Sequence, residues 1–206
     1  DVQDFGCDFL VCSPYKFFGP HQGTVWGRRV VLEALEPYKV RPAPDAIPWW
    51  FSPGTASLEG LAGTAAAVEY FAWVGETMAG SDGDRRQNVR AGMAAIAEYE
   101  QTLSHHLVRG LQSIPGITIH GITADEAMSR RGPTVAFTHA RHAPDDIARG
   151  LAAANVFAWS GHNYAVEVAK SLGLYESGGA VRVGPVHYNT IDEIDRLFEV
   201  LGTILV

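Results

Sequence analysis

Apolar residues open this chain as short continuous runs and fall into helical spacing further on. Phe9-Leu10-Val11-Cys12 and Thr24-Val25-Trp26 are bounded by turn-forming residues. They predict neighbouring strands over 7–12 and 24–27, the first of them buried. A helix is expected around 29–35, ending before Pro37. Five prolines between Pro37 and Pro53 mark an irregular loop. Ser57 opens a helix to about Val74, with Leu58, Leu61, Ala62, Ala65, Val68 and Phe71 on or near one face. The small residues Gly60, Ala62, Gly63, Ala65, Ala66 and Ala67 suggest close packing against another backbone. Gly80-Ser81-Asp82-Gly83 reads as a linker. A long helix follows from about Asp84 to Ser113, with Met93, Ile96, Tyr99, Leu103, Leu107 and Leu111 at helical spacing, and Pro115-Gly116 ends it.

The remainder alternates. Strands are predicted at 117–120, 133–138, 156–160 and 180–184, and helices at 144–154, 165–172 and 191–204. The last helix has the clearest start, because Thr190 and Glu193 have capping-box spacing. Ile191, Ile194, Leu197, Phe198, Leu201 and Leu205 give it a core-facing stripe. No internal repeat is visible. The pattern predicts an α/β chain of two units: part of an α/β sheet domain over 1–84, then a compact α+β domain over 85–206.

Composition narrows the class. The 206 residues are 47% hydrophobic and 19% charged, ordinary for a folded globular chain. A net charge of −7 does not suggest a nucleic-acid binder, and the pairs Arg28-Arg29, Arg85-Arg86 and Arg130-Arg131 read as solvated surface. No apolar stretch is long enough to span a bilayer. Cys7 and Cys12 are the only cysteines. Their placement along one extended segment disfavours a mutual disulfide and indicates a reducing, cytoplasmic setting, with Cys12 buried. The eight histidines form no metal-binding pattern, and His105-His106 read as surface. The chain starts at Asp1, without an initiator methionine, and is expected to be the remainder of something longer.

Three segments carry candidate chemistry. Asp8 to Gly23 runs from an apolar stretch into Ser13, Pro14, Tyr15 and Lys16, then a glycine- and proline-punctuated turn. A lysine just past a strand, beside a hydroxyl, suits an enzyme that condenses an amine with an aldehyde cofactor. It equally suits an ordinary solvated strand end. Pro48-Trp49-Trp50-Phe51-Ser52-Pro53-Gly54-Thr55 is an aromatic loop that ends ahead of a helix. Val181-Arg182-Val183-Gly184-Pro185-Val186-His187-Tyr188-Asn189-Thr190 brings a strand arginine close to the last helix. In order and spacing these three resemble the class V aminotransferase family of pyridoxal-phosphate enzymes, fold type I. The nearest branch looks like the cysteine desulfurase-like proteins. The resemblance covers nearly the whole chain but only the C-terminal half of the family. It implies that residues 1–84 are the tail of the large cofactor-binding domain and 85–206 the small C-terminal domain.

The resemblance also assigns residues. Lys16, one of three lysines with Lys39 and Lys170, matches the amine that forms the Schiff base with pyridoxal 5'-phosphate and then shuttles the proton at the substrate α-carbon. Ser13 matches the hydroxyl that binds the cofactor phosphate. Tyr15 stands where the family usually has a histidine, and its phenol can also donate to phosphate. Gly54 and Thr55 match the pair that reaches the phosphate of the partner subunit's cofactor, implying a homodimer. Arg182 matches the clamp for the substrate α-carboxylate, and Tyr188 and Asn189 order the turn behind it.

There are departures. Desulfurases carry a nucleophilic cysteine on the loop matching Trp159 to Ala165, and here the aligned residue is Tyr164. A phenol cannot carry persulfide sulfur, and neither Cys7 nor Cys12 is a good substitute. Transamination, β-elimination and epimerisation of a small amino acid remain open. The family's carboxylate for the pyridine nitrogen and its ring-stacking residue lie upstream of the first residue. The isolated fragment is therefore expected to bind the cofactor poorly and to be inactive. The competing expectation is a non-catalytic fragment or binding module that keeps the fold without turnover.

Overall fold

The computed structural model describes residues 1–52 and 54–206. Pro53, part of both the proline-rich loop and the Pro48 to Thr55 segment, lies outside the described residues. Two compact units divide the chain, Asp1–Met93 and Ala94–Val206.

In the first unit, β1 (Phe9–Cys12) pairs antiparallel with β2 (Thr24–Gly27), with Cys12 opposite Thr24 and Phe9 opposite Gly27. Helix α1 is Arg29–Ala34 and α2 is Leu58–Met78. The described part of the proline-rich segment is irregular apart from a 3-10 turn at Trp49–Phe51. The expected burial of β1 is not found. Val11 and Val25, directly opposite each other, are 71% and 66% exposed, and Cys12 is half-buried. A two-stranded ribbon cannot cover its own apolar side chains.

Helix α2 runs a turn further than its periodicity suggested, and its buried face differs from the expected one. Leu58 and Leu61 are exposed, whereas Gly60, Ala67, Ala72, Val74 and Gly75 are buried. The reason is the approach of α3 (Arg85–Ser113). A Cβ on Gly75 would lie 2.0 Å from the Asn88 carbonyl oxygen, and one on Gly92 would lie 2.1 Å from the Phe71 carbonyl oxygen. Helices this close can bury only small residues. Buried Asn88 ties the junction by accepting from the Ser81 hydroxyl and donating to Glu76, both at 2.7 Å. Asp84 caps α3 reciprocally: Gln87 N donates to its carboxylate at 2.8 Å, and Asp84 N donates to Gln87 Oε1 at 2.7 Å.

The second unit contains the C-terminal part of α3 and four antiparallel strands in the order β3-β4-β6-β5. These are β3 (Ile117–His120), β4 (Val135–His139), β5 (Trp159–Gly161) and β6 (Ala180–Val183). Strand β5 starts three residues later than its apolar run suggested. Helices α4 (Pro144–Ala153), α5 (Val166–Ser171) and α6 (Ile191–Ile204) complete the unit.

Alternation along β4 and β6 sends Val135, Phe137, Val181 and Val183 to one face. There they join Leu103, Leu107, Leu111, Ile147, Leu151, Leu197 and Leu201 in the core. Met93 and Tyr99, expected in the α3 stripe, are exposed. The Thr190 capping box is present, with Glu193 N donating to Thr190 Oγ1 at 3.2 Å and Thr190 N to Glu193 at 2.8 Å. Arg131 is not the solvated surface residue expected. Its guanidinium donates to the carbonyls of Ile122, Gly132 and Thr134 at 2.6 to 3.1 Å and ties two loops together.

Candidate active site

Lys16 ends a 3-10 turn, Pro14–Lys16, that follows β1 directly. Pro14 starts the turn with its φ already restricted and is buried. Lys16 N donates to the Ser13 carbonyl and Gly19 N to the Pro14 carbonyl, both at 2.9 Å, which closes the chain on itself. Phe18 holds φ at +68° while its ring packs on Tyr70 and Phe71 of α2, with centroids 6.5 and 6.0 Å away. The turn is therefore fixed to a helix rather than left as a free loop.

The side chains around Lys16 form a small polar-aromatic group. Its Nζ lies 5.6 Å from the centroid of Tyr15, whose ring stacks on His21 at 5.0 Å. The Ser13 hydroxyl does not cap the turn, and among the described residues it has no hydrogen-bond partner. Lys39 and Lys170 are held by Asp45 at 2.8 Å and Glu167 at 3.0 Å. Among the described residues Lys16 has no carboxylate partner. His21 received no role from the sequence, because only its ring contact shows that it belongs to this group. Gly54 and Thr55 are exposed, three residues ahead of α2, and Ser57 caps that helix by accepting from Gly60 N at 3.2 Å.

Arg182 belongs to the second unit, on the sheet face away from the core. Strand register sets His120, Ala136, Arg182 and Trp159 in one row across β3, β4, β6 and β5. Among the described residues Arg182 makes neither an ion pair nor a side-chain hydrogen bond. It lines a cavity of about 240 Å³ together with His120, His162 and Asn163. His120 is held by Thr138 Oγ1 at 2.9 Å, and burial pushes its imidazole below the ordinary value of 6.5, disfavouring its charged form. The Trp159 to Ala165 loop projects Tyr164 into solvent at 96% exposure, with Asn163 and Tyr164 both at positive φ. Behind Arg182, Asn189 accepts from Val186 N at 2.9 Å, and its carbonyl accepts from the Tyr99 hydroxyl at 2.8 Å. His187 Nδ1 lies 3.9 Å from Glu100, whose carboxyl is raised above its ordinary value mainly by burial, with His187 opposing the shift.

Comparison with known proteins gives this geometry a context. The aminotransferase class-V family model matches residues 1–197. The chain belongs to this family. A cysteine desulfurase of Klebsiella pneumoniae is 29% identical over 96% of this chain and 45% of its own length. An aminotransferase-like protein of Gibberella zeae is 30% identical over the full chain and 48% of its own length. The chain thus spans about half the length of the curated relatives it matches. Among solved structures, the cysteine desulfurase CsdA of Escherichia coli superposes with a TM-score of 0.75 at 23% identity, over 100% of this chain and 48% of that one. The apo cysteine desulfurase of Thermococcus onnurineus gives 0.77 at 23% identity, over 98% and 48%. These neighbours bear out an α/β chain corresponding to part of a fold type I enzyme.

Class V aminotransferases are pyridoxal 5'-phosphate-dependent, and the turn after β1 can be tested for fit. An amine free of any carboxylate, an uncommitted hydroxyl and a phenol stacked on an imidazole make a donor set suited to an aldehyde that carries a phosphate. The residues present fit the group. The Trp159 to Ala165 loop carries the Tyr164 phenol and no cysteine.

Proposed function

We propose that this chain forms part of a pyridoxal-phosphate-dependent class V enzyme acting on a small amino acid, with residues 1–84 on the cofactor side and 85–206 as the small domain. One observation carries the reading. Among the described residues Lys16 alone of the three lysines is without a carboxylate, and it ends a turn anchored to α2 that also carries Ser13 and the stacked Tyr15 phenol. The reciprocal cap at Asp84 and Gln87 supports starting the second domain with α3.

When bound, the cofactor supplies an electron sink for charge that develops at the α-carbon of an amino acid. Lys16 Nζ would hold the cofactor through its aldehyde and, once displaced by the substrate amine, would be free to move the proton at the substrate α-carbon. The Ser13 and Tyr15 hydroxyls would donate to its phosphate. Gly54 and Thr55 would serve the phosphate bound by a second copy, and the active form would then be a homodimer. Arg182 receives the substrate α-carboxylate through its planar fork. Without a thiol on the Trp159 to Ala165 loop, transamination, β-elimination or epimerisation is favoured over persulfide chemistry. Unpaired Cys7 and Cys12 support a reducing, cytoplasmic setting, and no helix among the described residues is long and apolar enough to cross a membrane.

A second reading, a binding module that keeps the fold without turnover, is favoured by the exposure of Lys16. The surroundings do not supply the desolvation that activates a lysine nucleophile. Borohydride trapping after incubation with pyridoxal phosphate, followed by peptide mass spectrometry, separates the two. The enzyme reading expects a pyridoxyl adduct concentrated on Lys16, lost in Lys16→Ala and weakened in Ser13→Ala. Labelling spread evenly over Lys16, Lys39 and Lys170 refutes it.

A further inference from the structure

We propose that the cavity beside Arg182 is a side-chain pocket, and that the ligand this chain selects is a monocarboxylate with an aliphatic body, of the branched-chain amino acid class. The inference deepens the proposed function and rests on its reading of Arg182 as the carboxylate receiver.

Charge comes first. Among the described residues Arg182 is the one arginine or lysine lining the cavity, no Asp or Glu lines it, and no protein anion engages the guanidinium. An arginine in this position is complementary to one ligand anion and offers nothing to a ligand cation. Of the two histidines that line it, His120 is held by Thr138 while burial disfavours its charged form, and His162 Nδ1 accepts from the Tyr164 amide at 3.2 Å, so Arg182 is the main anion-binding group.

The walls come second. Ala136 and Ala180 on the sheet, Val168, Ala169 and Leu172 on and just after α5, and Leu174 beyond it give the space an aliphatic surface. Ala136 lies directly opposite Arg182 on the neighbouring strand, and its small side chain leaves room beside the guanidinium. A ligand that only delivered a carboxylate would leave this apolar surface unpaired. An aliphatic group would bury against it.

Size decides the class. The cavity measures about 240 Å³. Ligand pockets usually run to about 300–1,000 Å³, so this space suits a short aliphatic group. It is generous for a ligand as small as cysteine and too small for most drug-sized molecules.

The test uses the full chain without cofactor and compares acetate with 3-methylbutanoate in NMR-monitored titrations. Burying each added methylene is worth about fourfold in affinity, so the three extra carbons give up to roughly sixtyfold tighter binding. Arg182→Gln is expected to abolish binding of both acids. Ala169→Leu, which fills the cavity, removes the preference for the longer acid. Should that variant fold poorly, Leu172→Ala strips part of the wall from the other direction and lowers the preference without weakening acetate. Equal affinity for the two acids, both lost in Arg182→Gln, overturns the side-chain pocket but leaves Arg182 as a carboxylate receiver. Binding that survives Arg182→Gln, or absence of saturable shifts with either acid, overturns both.

Discussion

Replacing Gly75 by alanine probes the packing that sets the first unit, and elementary helix propensity predicts the wrong sign for it. In a helix interior alanine is favoured over glycine by about 1 kcal/mol. At Gly75, however, the new methyl would sit 2.0 Å from the Asn88 carbonyl oxygen and 2.9 Å from the Gly92 amide nitrogen. Both are backbone atoms of α3, so relief requires moving a helix rather than rotating a side chain. Forced overpacking costs typically about 1–3 kcal/mol, and a contact this short belongs at the upper end. The net expectation is a loss of about 1–2 kcal/mol. Gly202 in α6 supplies the control, because its Cβ would meet nothing within 4 Å. Gly202→Ala is expected to gain about 0.5–1 kcal/mol, the unopposed propensity difference.

Hydrogen exchange followed by mass spectrometry reads the two sites separately, which matters because a two-unit chain need not unfold as one. Peptides from α2 and the start of α3 should lose protection in Gly75→Ala, and peptides from α6 should gain it in Gly202→Ala. Tryptophan fluorescence adds a second readout of the first change, since Trp26, Trp49, Trp50 and Trp73 all lie in the first unit and only Trp159 in the second. Protection in Gly75→Ala equal to or above that of the parent refutes the close backbone crossing.

Two further expectations concern the second unit. Thr190→Ala removes the hydroxyl that caps α6 and should destabilise by about 1 kcal/mol, seen as faster exchange in the first turn of α6. Glu100→Gln tests the half-buried carboxyl beside His187. Because burial raises its folded value above the ordinary 4.5, the native state holds the proton more tightly than the unfolded chain does. The stability it contributes is full below 4.5 and is lost as pH rises through the raised folded value. The parent should therefore show a downward stability slope across that window, absent from Glu100→Gln in denaturant titrations, and identical slopes count against the assignment.

Much of the element order could be read from local spacing, and the misreadings share a cause. Periodicity finds where large apolar side chains recur, and it assumes that those are the buried ones. On α2 the assumption fails, because contact with α3 is made at glycine and alanine, leaving Leu58 and Leu61 outside. On β1 it fails because a run such as Phe9 to Cys12 specifies a strand without specifying what covers it. Thr190 and Glu193 were legible because a cap is a local device with fixed spacing. The Asp84 and Gln87 cap has the same spacing but gives a weaker signal, because its first turn carries arginines rather than an apolar run. The row of His120, Ala136, Arg182 and Trp159 could not be read at all. It depends on the register of four strands from distant parts of the chain, which no local window contains.

Backbone strain gives a line of support for the candidate site that owes nothing to family resemblance. Among the described residues, four that are not glycine hold positive φ: Phe18, Asn155, Asn163 and Tyr164. Asparagine enters this region readily, whereas for most L-residues it costs about 1–2 kcal/mol. The two aromatic cases are therefore the informative ones. Phe18 lies two residues past Lys16, held by its packing on Tyr70 and Phe71 and by the closure of Gly19 onto Pro14. Tyr164 ends a pair of such residues on the loop whose His162 and Asn163 line the Arg182 cavity, and its amide donates to His162 Nδ1 at 3.2 Å. A glycine at either position would relieve the strain, so a side chain is being kept there at a conformational cost. Strain of this kind persists only where the surroundings over-determine it, and it gathers where a segment must hold a ligand or present a group. Its two aromatic instances fall on the two segments that carry Lys16 and border Arg182, which is the distribution expected if those segments do the chemistry.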